Sequence, residues 1–420
     1  MNAVSDVSSS GLLEVAPALK RARVAYFVSH PIQYQAPLLR RIALERDIDL
    51  RVFFSSDLSV RGYPDKGFGG VQVKWDIPLL DGYSYEFLPG FRHKDSLGFA
   101  APISHGIFDR LRGGGFDAVW VHGYHTFNSL QAILAARMLR IPVILRAESQ
   151  LNDRVRTRTT LLAKRLFLSL LKHAVGCVMP IGKPNAEYWQ QYLGSGVPRF
   201  PMPYAVDNTY FSTRAAEAAP QREALRRELG LEDGRTIFLF ASKLQIRKRC
   251  IDLVDAFLKL SPAPGVEPPA YLLIIGDGEE RAAIERRIQD SGVSSIRMLG
   301  FRNQSELPRF FDLSDVFILP SIHEPWGLIV NEVMNAARAV VLSDDVGCHS
   351  DLVEDGRNGF IFPARNVDAL SAVLRRFVED PSLARTMGQQ GLKTIARCSF
   401  EEDVRGLRHA LAFSVPGFVA

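Results

Sequence analysis

Apolar positions along this chain fall into two rhythms. RVAYFV (23–28), LRVFF (50–54), AVWVHG (118–123), PVILRA (142–147) and VGCVMPIG (175–182) are short apolar runs. Runs of this length suit parallel strands covered on both faces. Between them, IQYQAPLLRRIALE (32–45) and FNSLQAILAARML (127–139) show helical spacing. Residues 58–105, rich in Gly, Pro and aromatic side chains, break the rhythm and read as a loop-rich insertion near a site. The pattern then starts again with TIFLFAS (236–242), YLLIIG (271–276), IRMLG (296–300), VFILPS (316–321) and AVVLSD (339–344). Strands alternating with helices predict an α/β chain of two doubly wound halves facing a cleft, with the change-over near Pro201–Pro203.

The segment 315–363 carries the most chemistry. Its strand is followed by Glu324, Pro325, Trp326 and Gly327, then by a helix with Leu328, Ile329, Val333 and Met334 on its apolar positions. In an open α/β sheet, ligands sit outside the carboxyl ends of the strands. Glu324 is expected in that crevice and Glu332 about two turns into the helix. Carboxylates suit hydroxyl groups, and the unpaired N–H groups of a helix start suit phosphate. Such a pair fits a ligand with a diphosphate between polyhydroxylated ends, a nucleotide sugar.

A length of 420 residues favours two or three domains, and 47% hydrophobic with 23% charged residues fits a globular protein. The formal charge of +5 is spread along the chain, which disfavours a nucleic-acid partner. Cys177, Cys250, Cys348 and Cys398 are far apart and lack zinc-ligand spacing, so they are expected in core or helix positions of a reducing compartment. Residues 1–21 read as a disordered tail with no signal-peptide pattern, and no uncharged apolar run reaches spanning length. The expected location is the cytoplasm. The stretch 151–173 has six Lys or Arg residues, one Asp and recurring Leu and Phe. It fits either a solvated basic helix or one lying on an anionic membrane at its inner face.

The arrangement EPWG-x4-E (324–332) resembles the donor-site motif of retaining glycosyltransferases of the GT-B fold, glycosyltransferase family 4. SKL-x3-K (242–248) is similar to the family's GRL-x3-KG segment, with Lys243 in the arginine position, Lys248 in the lysine position and Arg249 in place of the glycine. The resemblance runs from about residue 22 to 412 and is loosest between Leu58 and Leu111. It implies an acceptor-side Rossmann-like domain over 22–200, a nucleotide-sugar-binding one over 201–397, and a C-terminal helix, 398–420, crossing back to the first domain. It further implies that Lys243 and Lys248 neutralise the leaving diphosphate, that Glu332 binds ribose hydroxyls, and that Glu324 binds the donor sugar. His122 would orient that sugar. Trp326, Gly327, Leu328, Arg302 and Gly278 complete the implied donor site. His30 and Gln33, where many relatives have a glycine pair, fit the acceptor side or the donor phosphate, and His125 fits the acceptor side. The implied reaction is metal-independent, needs no cofactor beyond a UDP- or GDP-type nucleotide sugar, and delivers a hexose-type sugar to a glycan or lipid-linked acceptor. Bacterial surface or exported polysaccharide is the implied setting. Two competing readings are a nucleotide-sugar 2-epimerase of the same fold and a non-catalytic nucleotide or carbohydrate binder.

Overall fold

The computed structural model describes residues 20–91, 97–152, 156–263 and 265–420. The tail 1–19 and residues 153–155 of the basic stretch lie outside the described residues. The first sheet has six parallel strands: β1 (Ala22–Val28), β2 (Ile48–Phe54), β3 (Ser84–Phe87), β4 (Ala118–His122), β5 (Val143–Arg146) and β6 (Cys177–Val178), in the order β6-β5-β4-β1-β2-β3. The second repeats the plan with β7 (Thr236–Ala241), β8 (Ala270–Ile275), β9 (Ile296–Gly300), β10 (Val316–Leu319), β11 (Ala339–Ser343) and β12 (Gly359–Phe362), in the order β9-β8-β7-β10-β11-β12. Each sheet is covered on both faces by apolar clusters, which is why most of its strands read as continuous apolar runs. In each, the strand order reverses direction once, between β1 and β4 and between β7 and β10, and a crevice opens at that point.

Three expectations change. The stretch 58–105 is not only insertion: SYEF, at 84–87, pairs with β2 as the edge strand of the first sheet, and its half-exposed side chains hid it from a search for apolar runs. The run 175–182 yields only a two-residue strand. The helix after Gly327 spans Leu328–Met334, so Glu332 lies one turn into it and not two.

The helices used below are α1 (Ala36–Ala43), α2 (Phe127–Met138), α3 (Arg158–Leu171), α4 (Lys183–Leu193), α5 (Cys250–Leu258), α6 (Leu328–Met334), α7 (Ser382–Ile395) and α8 (Phe400–Ser414). Met202 packs in the first domain's core and Tyr204 in the second's, so the chain changes domain between them. It returns through α8, whose Val404, Leu407, Ala410 and Leu411 fill the first domain's core. Asp403 of α8 lies 3.6 Å from Arg146 at the end of β5, both essentially without solvent contact. The four cysteines are buried and free.

Candidate active site

The two crevices face each other across the cleft and enclose a cavity of about 480 Å³. Contacts across the cleft join the two domains beside it. Asn303 Nδ2 donates to the Lys74 carbonyl at 2.7 Å, His323 Nδ1 lies 2.9 Å from the Asn152 carbonyl, and Phe68 meets Phe301 edge-on at 4.9 Å. Gln150 Nε2 donates to the Pro325 carbonyl.

Glu324 is the electrostatic centre of this cavity. One carboxylate oxygen accepts from Lys248 Nζ and, at 3.0 Å, from Arg247 Nη1. Burial opposes its charge, but Lys248 and Arg247 outweigh burial and hold the carboxyl below its ordinary range. Lys248 is itself lowered by burial, against the pull of Glu324. Lys248 owes its position to a tight turn, Ile246–Lys248, between β7 and α5. Arg249 ends that turn at φ 54°, the left-handed conformation a glycine takes without strain. This costs a larger residue about 1–2 kcal/mol. Its guanidinium is anchored on Asp252 at 2.7 and 2.8 Å, so the departure from the family glycine leaves the turn formed. Lys243 also lines the cavity, but its ammonium is paired with Asp65 of the first domain at 2.9 Å.

The remaining predicted residues divide into groups. Glu332, Trp326, Gly327, Leu328, Arg302 and Gln33 line the same cavity as Glu324 and Lys248. Trp326 is buried, and its indole N–H donates to Asn331 at 2.9 Å. Gly327 has φ 91°, and a Cβ there would come within 3.1 Å of Leu319 and Val346. Gly278 does not reach the cavity; Gly276, two residues earlier, does. His30 and His125 line a separate first-domain cavity of about 260 Å³, where burial and then His122 lower His30 to about 4. His122 lines neither cavity. Its Nε2 meets Gln35 at 3.1 Å and Glu148 at 3.7 Å, and its Nδ1 is buried without a hydrogen bond.

Glu148 was missed in the sequence. It follows β5 and lines the cavity from the first domain, between His122 and the open volume. Its Oε1 accepts from Tyr34 at 2.8 Å and from Tyr204. Burial works against the charge, but His122, Tyr204 and Tyr34 outweigh it and bring Glu148 to about 2. With Oε1 so held, the other oxygen is left to meet a hydrogen-bond donor in the cavity. A carboxylate this weakly basic orients a hydroxyl better than it deprotonates one. The rule that flagged Glu324, an acid just past the carboxyl end of a parallel strand, would also have found Glu148 in RAES. Arg247 was passed over beside Lys248 for want of any signal that it turns toward Glu324.

Glu332 gives a pH signature. Burial alone raises its carboxyl from 4.5 to about 8, so it is mostly protonated at neutral pH. Because the folded value exceeds the unfolded one, its contribution to stability is full below pH 4.5 and is lost as pH rises through 8. We expect Glu332→Gln to flatten the fall in Tm between pH 5.5 and 8.5. An unchanged slope would assign the effect elsewhere.

Comparison with known proteins gives this geometry a context. Residues 221–394 match the family model for glycosyl transferases group 1. The chain is 27% identical over 175 residues to the alpha-D-kanosaminyltransferase of Streptomyces kanamyceticus, covering 41% of this chain and 44% of that one. It is 28% identical over 151 residues to the alpha-monoglucosyldiacylglycerol synthase of Acholeplasma laidlawii, covering 36% and 37%. The matched stretch thus spans less than half the length of these relatives. The solved structure of Anabaena HepE in complex with UDP superposes with a TM-score of 0.71 at 17% identity, covering 93% of this chain and 99% of that one. The chain therefore has the GT-B fold, two Rossmann-like domains facing a cleft.

Proposed function

We propose that this chain is a retaining, metal-independent glycosyltransferase of family 4 that uses a nucleotide-diphosphate sugar. The observation that carries this reading is the Glu324–Lys248–Arg247 cluster in the interdomain cavity, in which Glu324 and Lys248 are buried. The match to glycosyl transferases group 1 and the UDP carried by HepE support it and favour UDP over GDP. Glu324 occupies both cations. A bound diphosphate draws Lys248 and Arg247 to its own oxygens and leaves the Glu324 carboxylate to the sugar. Glu332 accepts from ribose hydroxyls, and Glu148 fixes a sugar or acceptor hydroxyl from the opposite wall.

The bond from C1 to the diphosphate then breaks as the acceptor oxygen bonds C1 on the same face. The acceptor's proton passes to the departing phosphate oxygen. Lys248 and Arg247 stabilise charge as it develops on that phosphate, and Glu324 stabilises positive character on the ring. Cleft closure keeps water from the sugar.

A thermal-shift panel of nucleoside diphosphates and their sugar conjugates, without added metal, tests the reading. We expect one nucleotide and its conjugate to raise Tm, and Glu148→Gln to slow transfer while leaving that shift in place. No shift with any of them would remove the proposal. Release of an epimerised donor without acceptor would replace it with the epimerase reading.

We place the acceptor on a glycan or lipid carrier of a bacterial surface polysaccharide, at the cytoplasmic face of the membrane. Among the described residues, no helix is long and apolar enough to cross a membrane. Leu162, Leu166 and Leu170 of α3 are 64–69% exposed in one stripe, near Arg158, Arg165 and Lys172. Leu134 and Met138 of α2 are similarly exposed, and both helices bury their opposite sides in one apolar cluster. Basic residues beside an exposed apolar stripe suit an anionic bilayer. Leu166→Glu with Leu170→Glu should abolish co-sedimentation with phosphatidylglycerol vesicles; equal sedimentation of both forms would refute the assignment.

A further inference from the structure

Another cavity, of about 430 Å³, opens at the opposite end of the second sheet. Thr236 begins β7, Asp315 directly precedes β10 and Arg338 directly precedes β11, so the opening lies at the amino ends of the strands. The active-site cavity lies at their carboxyl ends. Arg222, Arg226, Arg235, Arg338 and Arg385 line the amino-end cavity, and Asp315 is the one acid among its described lining residues.

Part of this positive charge is left without an internal partner. Asp312 is shared by two guanidiniums, Arg222 at 2.8 Å and Arg338 at 3.1 Å. The carboxylates nearest Arg226 are Asp233 at 3.7 Å and Glu223 at 3.8 Å, both largely in solvent and therefore screened. Arg226 also donates to the Glu232 carbonyl at 3.2 Å, and Arg235 pairs with the Glu232 carboxylate at 3.1 Å, donates to the Ala270 carbonyl at 3.2 Å and stacks 4.3 Å over Tyr271. Arg385 makes no hydrogen bond or ion pair among the described residues. The Nε atoms of Arg226 and Arg338 are buried without a hydrogen-bond acceptor. Buried donors left unpaired are rare in folded proteins and mark a place where an acceptor is missing. Burial also raises the Asp315 carboxyl above its ordinary range, which weakens its repulsion of an anion.

The geometry points to a second anion site, distinct from the donor cavity, for a small molecule bearing a phosphate or diphosphate. Its oxygens would be received by Arg226, Arg338 and Arg385, as forked guanidiniums receive phosphate. Pro381 and Ala384, at the start of α7, leave an apolar wall for the rest of the molecule. The inference does not depend on the proposed transfer reaction.

Inorganic pyrophosphate is the probe, titrated calorimetrically into the full chain against sodium chloride of matched ionic strength. We expect two saturable events, of which Lys248→Ala removes the donor-site event and spares the other. Arg385→Glu, at an exposed position without a partner, should weaken the spared event at least tenfold while leaving the ligand-free Tm unchanged. Gln389→Glu, also on α7 and lining the cavity, should act in the same direction by adding a carboxylate. No saturable event that survives Lys248→Ala, or one that both α7 variants leave unaltered, would overturn the inference.

Discussion

Glu324→Ala is expected to lower sugar transfer by about 10²–10³-fold, the loss typical of removing one preorganised group from a developing charge. Nucleoside-diphosphate binding should survive and tighten. Glu324 holds both Lys248 and Arg247, and a diphosphate must draw them away from it. Deleting the carboxylate removes that competition and leaves two partly buried cations in need of an anion. Turnover and the nucleotide Kd therefore move in opposite senses, a pattern that general unfolding does not produce. Unchanged turnover would take Glu324 out of the site.

Lys248→Ala has the other large effect, on stability as well as binding. Lys248 and Glu324 are each about a tenth exposed, and removing one member of a buried pair strands the other. That loss is typically about 3–5 kcal/mol, and the lower end is expected here because Arg247 still reaches the carboxylate. Urea titration of Lys248→Ala should show the deficit, and Lys248→Ala with Glu324→Ala together should recover much of it. The nucleoside-diphosphate Kd should weaken in the single variant. An equally unstable double variant would show that Lys248 acts by packing and not by charge.

The doubly wound plan was legible because strands covered on both faces leave an unbroken apolar trace, as in TIFLFA and VFIL. The edge strand SYEF left none, since only part of it is covered. Glu324, Glu332 and Lys248 were legible as a spaced motif within one domain. What spacing could not show is how the other domain answers them. Lys243 pairs with Asp65, 178 residues away, and Glu148 is held by phenols from Tyr34 and Tyr204, one on each side of it in the chain. His122 has the residue type of a sugar-facing group, yet the carboxylate of Glu148 stands between it and the cavity, a relation set by the packing of β4 beside β5.

The returning helix α8 also has a consequence for synthesis. The core that Val24, Tyr26, Leu38 and Trp120 begin is finished by Val404, Leu407 and Leu411, which are made last among them. A ribosome adding about 5–20 residues per second needs roughly 10–45 s to travel from β6 to α8. Throughout that interval the older half of the chain waits with an apolar face open and Arg146 without Asp403, while the younger half has both covering clusters complete by Cys398, before α8 is made. The order in which the halves are written is thus the reverse of the order in which they can be completed.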